Sequence, residues 1–415
     1  MSDKKDYADA SPYVVVFAGP NGSGKTSLID ELRETGLQTS AGMIPIPSRF
    51  INPDQVGKDL QGTFANQHER DVAAFNAAVQ MRHDASNSKE SFAFETVMSH
   101  PSRINEILML KEQGYRVFLT FVTTDDPEKN VARVTYRYQS QTTTGHYVDP
   151  DKVRDRYDRT LALLPRATEE ADAAFVYDNS ADFKQARLQA VQEKDAVFQL
   201  SPEAKPWVID RLVQPLQQRE EELNQLIASA MKHGHELGDV DELRGTYRGP
   251  IVLKTPHFVM QHDEATRKPV IHDRVMLETG DSNRPEYSNP THRQSDTLAV
   301  RYSTRNAPAI SRVERGPGSE QVSLEVLNER AAAMAKAFTS QAPADALQTY
   351  PELAGAYAAM TMMKKTVEGS LTREQSTVVM DCVRSQIANQ LAKGEIPEVP
   401  IREQVEHTRD IERSR

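Results

Sequence analysis

The sequence predicts an α/β fold in its first half, a five-stranded parallel sheet with flanking helices. A small all-β domain and a C-terminal helical region follow. Three observations carry this reading. Residues 13–180 alternate apolar strand patterns with helical ones, the signature of a parallel sheet covered by helices. Residues 244–304 hold short β runs separated by turn residues. Residues 321–395 place Leu324, Leu327, Ala331 and Met334 at helical spacing. At 415 residues the chain has room for several cores. The expected boundaries are a flexible N-terminus over 1–12, the α/β domain over 13–200, a polar helical connector over 201–243, the β domain over 244–310, a helical domain over 320–395 and an extended tail over 396–415.

Element by element, Tyr13 to Ala18 reads as a buried parallel strand, and Thr26 to Leu32 as the first turns of a helix stopped by Gly36. Arg49–Asn52 is a short strand. His68 to Ala85 carries Val72, Phe75 and Val79 at helical spacing. Ser91–Phe94 is the next strand, and Arg103–Lys111 a helix ended by Gly114. Tyr115–Val122 is the longest strand signal. Asp126-Pro127 then opens a helix, with a capping side chain followed by proline at the first helical position. Ala173–Tyr177 closes the set. Beyond it, 207–236 is a Gln- and Glu-rich helix. Thr246–Leu253, Phe258–His262 and Pro269–His272 are strands, 281–296 is a loop, and Gly316-Pro317-Gly318 is a joint. Leu353, Ala356, Met360 and Met363 form a stripe that suits a core or a partner surface.

The strand–loop–helix at the start has a chemical purpose. Gly19-Pro20-Asn21-Gly22-Ser23-Gly24-Lys25-Thr26 fills the phosphate-loop pattern G-x-x-x-x-G-K-[ST], and Ser27 continues into the helix. Glycines let backbone N–H groups curl around phosphate oxygens, and the helix end adds positive potential. Lys25 is expected to reach the β- and γ-phosphates of ATP, and Thr26 to hold Mg²⁺.

Three further elements bear on what happens to the nucleotide. Asp54, just past the second strand, is placed to accept the proton of an attacking hydroxyl; as a bland alternative it caps the following helix. Glu95, at the end of an apolar strand, is placed to hold a water on Mg²⁺ or to bind substrate, with Thr96 adding a hydroxyl. Asn130, Arg133 and Arg137 share one helical face, and Arg154, Arg156 and Arg159 follow beyond Gly145-His146. Arginines on a lid can spread the charge of a transferring phosphoryl group. The alternative is a solvated face balanced by Asp149, Asp151, Asp155 and Asp158.

Together these residues resemble the zeta-toxin family of small P-loop kinases. The likeness rests on Gly19–Thr26, Ile51-Asn52-Pro53-Asp54, Phe94-Glu95-Thr96, Gly114-Tyr115-Arg116-Val117, Asn130–Val134, Gly145-His146-Tyr147-Val148, Arg154-Asp155-Arg156-Tyr157 with Arg159, and Val176–Ser180. It covers residues 13–195. The resemblance implies transfer of the ATP γ-phosphate to a hydroxyl of a small molecule, UDP-N-acetylglucosamine in the best-known members, with toxicity held in check by an antitoxin or immunity protein. It makes Lys25 the phosphate lysine, Asp54 the base, Glu95 a substrate or metal carboxylate, His146 a substrate contact, and Arg133, Arg137, Arg154 and Arg156 the phosphate clamp. Many relatives carry Gly-Gly-His where this chain has Thr144-Gly145-His146. A second resemblance, to KfrB-like domains of plasmid-borne proteins, rests on Gly245–Val252, His262, Val270–Arg274 and Val300–Tyr302. It carries no chemistry, and His272-Asp273 reads there as a turn-forming pair.

Composition narrows the classes. Net charge is −10 and neither half is basic, which argues against broad nucleic-acid or membrane-surface binding. Cys382 is alone, so no internal disulfide forms, which suits a reducing cytoplasm; the polar N-terminus lacks a leader's apolar core, and entry by a leaderless route stays open. Two other functions compete with a toxin kinase: a nucleotide switch serving plasmid maintenance or transfer, and a kinase of another nucleotide-like acceptor. The switch has no use for an acceptor base such as Asp54.

Overall fold

The computed structural model describes residues 11–60, 64–140, 148–279, 296–302, 309–314, 324–368 and 372–395. In the first domain the elements run β1 (Tyr13–Ala18), α1 (Lys25–Thr35), a small hairpin of β2 (Leu37–Thr39) and β3 (Gly42–Ile44), β4 (Phe50–Ile51), α2 (Pro53–Asp59), α3 (Gln67–Asn87), β5 (Phe92–Thr96), α4 (Ser102–Glu112), β6 (Arg116–Thr123), α5 (Pro127–Ser140), α6 (Pro150–Glu170), β7 (Ala173–Asp178), β8 (Arg187–Glu193) and β9 (Gln199–Leu200). The sheet order is β4-β5-β1-β6-β7-β8-β9. The first five of these strands are parallel, and β8 and β9 extend the sheet antiparallel beyond β7. The expected five-stranded parallel sheet is present. The two added strands escape the sequence pattern because β8 is exposed at its start and half-buried at its end.

Strand β1 lies at the centre, between β5 and β6, with both faces covered. Its alternate residues feed two cores. Val14, Val16 and Ala18 join Phe92, Phe94, Leu119 and the α6 residues Leu161 and Leu164. Val15 and Phe17 join Leu28, Ile29 and Leu32 of α1. A central strand buried on both faces explains why its sequence is a continuous apolar run. Helix α3 departs from the expected stripe: Val72 and Phe75 are exposed, and the buried face is Ala74, Ala78, Arg82 and Ala85. Small side chains let this helix approach the sheet closely, a signal that counting large apolar residues misses.

The polar helix after the sheet packs against both sheets. It comprises α7 (Pro206–Val208), a π turn over Ile209–Val213 and α8 (Gln214–Lys232). Trp207, Val208 and Leu212 enter the first core, and the Trp207 indole donates to Asp178 at 2.8 Å. Leu226 and Ala230 of α8 pack on the second sheet. That sheet contains β10 (Thr246–Lys254), β11 (Phe258–His262), β12 (Pro269–Asp273), β13 (Leu277–Thr279), β14 (Thr297–Arg301) and β15 (Ala309–Glu314), in the order β12-β11-β10-β14-β15-β13. It is antiparallel except for the β13–β15 pair. The expected joint at Gly316–Gly318, most of the 281–296 loop and the tail from Ile396 lie outside the described residues.

Helices α9 (Leu324–Ser340), α10 (Pro343–Thr349), α11 (Ala354–Glu368) and α12 (Arg373–Ala392) complete the chain. Leu353, Ala356 and Met360 are buried in their shared core, whereas Met363 is exposed. No helix among the described residues is long and apolar enough to cross a membrane.

His272 and Asp273 end β12 and lead into a turn, whose Val275 N–H donates to the Asp273 carboxylate; both residues are buried. Asp273 meets Arg219 of α8 at 2.7 Å and Arg166 of α6 at 3.4 Å. Arg219 also bonds Glu169, and Arg166 reaches Glu170 and Glu242. Burial opposes the charge on Asp273, but the two guanidiniums win and hold its carboxyl below the usual range. Removing one member of a buried ion network leaves an uncompensated charge, at a cost of roughly 3–5 kcal/mol. Arg219→Ala should therefore move the urea unfolding midpoint sharply down, followed through the lone tryptophan, Trp207.

Burial also pushes the His262 imidazole down to about 4, with repulsion from His235 adding to it. Unfolded, the ring titrates near about 6.5. Between these values the unfolded chain binds the extra proton, so stability falls as pH drops through that window. Thermal melts followed by circular dichroism should shift down between pH 7 and pH 5, and His262→Gln should flatten this slope.

Candidate active site

The phosphate loop leaves β1 at Gly19 and enters α1 at Lys25. Its shape requires glycine. Gly22 has φ +78°, and a Cβ there would sit 2.6 Å from the Asn130 carbonyl oxygen. Two asparagines prop the loop from outside. The Asn130 amide donates to the Asn21 carbonyl at 2.7 Å, and the Asn179 amide donates to the Ser23 carbonyl at 2.8 Å. Asn130 is fully buried and also accepts from the Thr124 hydroxyl.

The loop fits a polyphosphate. No side chain caps the N-terminus of α1, and its first turn carries no acid. The leading N–H groups of a helix have no partners within it and favour an anion. The Ser23 hydroxyl is buried without a hydrogen-bond partner, a polar atom in need of one. Thr26 presents an exposed position at the same helix end. Among the described residues no cluster of three or more His, Cys, Asp or Glu side chains could hold a metal alone.

Lys25 is 7 % exposed. Its ammonium donates to the Gly19 and Pro20 carbonyls at 2.8 and 3.0 Å, and Glu95 Oε1 lies 3.6 Å away. Burial pushes this lysine below its ordinary value; Glu95 opposes the shift, Arg137 adds to it, and Asp54 opposes it. Three other sequence-predicted site residues, Glu95, Arg137 and Asp54, thus act electrostatically on Lys25. Glu95 and Thr96 are the last residues of β5, and the Thr96 hydroxyl accepts from the Met98 N–H. Asp54 is exposed on the first turn of α2.

The arginines separate. Arg156 donates to the Asn21 side chain at 3.3 Å, and burial, then Arg159, push its guanidinium below the ordinary value. Arg133 bonds the Asn179 carbonyl at 2.8 Å and Asp182 at 3.0 Å. Arg137 is exposed and has no ion pair among the described residues. Arg154 faces elsewhere: it is paired with Glu128 at 2.6 Å and Asp151 at 2.8 Å. His146 and Gly145 lie outside the described residues. Asn52, Asn130 and Asn179 were missed as site-building residues. The only advance signal was their place inside the motifs, since an asparagine's partner is set by tertiary contact.

Beside the loop, a cavity of about 1250 Å³ is lined by Gly24, Ser27, Arg133, Tyr136, Asn179 and Phe183, among others. Residues 1–183 match the model of the Zeta toxin family. The N-terminal domain is therefore similar to the zeta-toxin family of P-loop kinases. An uncharacterized protein of Haemophilus influenzae is 29% identical over 143 residues, 34% of this chain and 91% of the relative. Similar solved structures include the AvrRxo1-ORF1:AvrRxo1-ORF2 complex with sulphate ions, at 13% identity and TM-score 0.36, covering 47% of this chain and 62% of that one. The same complex with ATP is 14% identical, with TM-score 0.36 and coverage of 46% and 61%. The PezAT toxin–antitoxin system of Streptococcus pneumoniae is 14% identical, with TM-score 0.33 and coverage of 54% and 91%. The chain spans about three-fifths of the AvrRxo1 chains it matches.

In this phosphate-loop domain the loop geometry predicts a simple outcome. Gly22→Ala must push the Asn130 backbone away, so affinity for a fluorescent ATP analogue should fall by at least about tenfold.

Proposed function

We propose that this zeta-toxin domain transfers the γ-phosphate of ATP to a hydroxyl of a small molecule and acts as a bacterial toxin. The observation that carries the reading is Glu95 beside Lys25 at 3.6 Å, with Asn52 bonded both to Glu95 and to the backbone N–H of Asp54. A loop that only held a nucleotide would not require the carboxylates of two neighbouring strand ends. UDP-N-acetylglucosamine is the acceptor we favour from the family, and an antitoxin or immunity protein the partner.

In this reading the backbone N–H groups of the loop and the α1 terminus bind the triphosphate. Lys25 exchanges its carbonyl partners for phosphate oxygens and follows the charge that moves to the leaving group. Thr26 and Glu95 would hold Mg²⁺, which when bound neutralises charge on the phosphates. Asp54 accepts the proton of the acceptor hydroxyl and orients its oxygen toward the γ-phosphorus. Arg156, bonded to Asn21 of the loop, Arg133, held by Asn179 and Asp182, and Arg137 on the same helix as Arg133 are the residues we assign to the developing charge. Arg154, held by Glu128 and Asp151, must leave both to take part. The cavity beside Arg133, Tyr136 and Phe183 would take the base and ribose.

Incubation with labelled ATP and a bacterial metabolite extract, followed by mass spectrometry, should yield one phosphorylated small molecule. Asp54→Asn should bind ATP normally and lower turnover by about 10²–10⁴. Lys25→Ala should lose turnover and weaken nucleotide binding. Both should relieve growth arrest on expression in a bacterial host. An Asp54→Asn protein with full activity would remove the proposed base.

A further inference from the structure

We propose that Asn52 is a positioning residue that couples the two carboxylates of the site, an inference that rests on the kinase reading above. Asn52 follows the two-residue strand β4 and caps α2. Its side-chain oxygen accepts from the Asp54 N–H at 2.8 Å. Its side-chain nitrogen donates to Glu95 Oε2 at 2.8 Å. The other Glu95 oxygen, Oε1, lies 3.6 Å from the Lys25 ammonium. One planar amide therefore ties the first turn that carries Asp54 to the carboxylate that faces the phosphate lysine. The order is Asp54 backbone, Asn52, Glu95, Lys25.

The identity of the residue follows from both duties. Serine, aspartate and asparagine all cap helices well. Serine is too short to offer an acceptor and a donor in opposite directions. Aspartate caps equally but has no donor, and it would set a second carboxylate against Glu95. Only asparagine does both at this length. Pro53 at the first helical position restricts Asn52 to its extended backbone, so the amide is pre-aimed. The supporting strand β4 pairs with β5 through Phe50–Ala93 and Ile51–Phe94, which sets Asn52 level with Glu95. Asn52 touches neither reacting atom. It acts through Glu95 and through the placement of Asp54.

A double-mutant cycle on the full chain tests this. Asn52→Asp keeps the cap and should lower kcat by about 10²-fold while changing KM for ATP by less than about threefold. On a Glu95→Gln background the polarity is reversed, since the new amide can donate to the introduced carboxylate. There Asn52→Asp should cost less than about threefold beyond Glu95→Gln alone. Equal losses in both backgrounds, or no loss from Asn52→Asp, would overturn the proposal. A wild-type chain that turns over no acceptor sinks the kinase reading, and the cycle is then read in thermal midpoints. Asn52→Asp should lower the midpoint of wild type but not of Glu95→Gln; equal shifts reject the coupling.

Discussion

A buried ammonium organises this molecule. Lys25 sits at the mouth of the central strand, and burying its charge without partners would cost several kcal/mol. Two loop carbonyls and one carboxylate offset that cost. The carboxylate must come from the next strand, so β1 and β5 have to end at the same level, as Ala18 and Thr96 do. Glu95 in turn requires a donor on its far side, which brings Asn52 and the short strand β4 into register. The placement of Glu95 and Asn52 thus follows from solvating one lysine.

The glycine loop imposes the second constraint. Its backbone curls so tightly that its carbonyls must be satisfied from outside, and Asn130 and Asn179 do so from two different elements. Asn130 is the first of the residues that share a helical face with Arg133 and Arg137. The helix that bears candidate phosphate arginines is therefore seated directly on the loop. Arg156 makes the same connection from α6.

Helix α6 also links the two halves of the chain. Its N-terminal part bears Arg156 at the loop. Its C-terminal part bears Arg166, Glu169 and Glu170, which join Arg219, Glu242 and Asp273 in a buried charge network. Val275 and Met276 extend the first core from the second sheet. The C-terminal half is thereby built onto the first domain rather than strung behind it.

The phosphate loop, the parallel strands and the order of the helices were legible in the sequence because each rests on local rules: glycine spacing, continuous apolar runs, caps followed by proline. Glu95 was legible as a strand-end carboxylate for the same reason, while Asp54 stands on the first turn of α2. The burial of α3 through alanines was not, since small residues carry little hydrophobic signal until a sheet approaches them. The antiparallel strands β8 and β9 were missed because β8 buries only its middle residues, one of them Gln189, and the edge strand β9 is open to water, so neither shows an apolar run. Polar residues show the division most clearly. Arg154 and Arg156 are two positions apart in the sequence, yet one is held by Glu128 and Asp151 and the other reaches the loop. The chain by itself determined which chemistry is present and roughly where along the sheet it emerges. Only the tertiary structure decided which polar side chains meet, because a hydrogen bond depends on distances of a few tenths of an ångström between elements far apart in sequence.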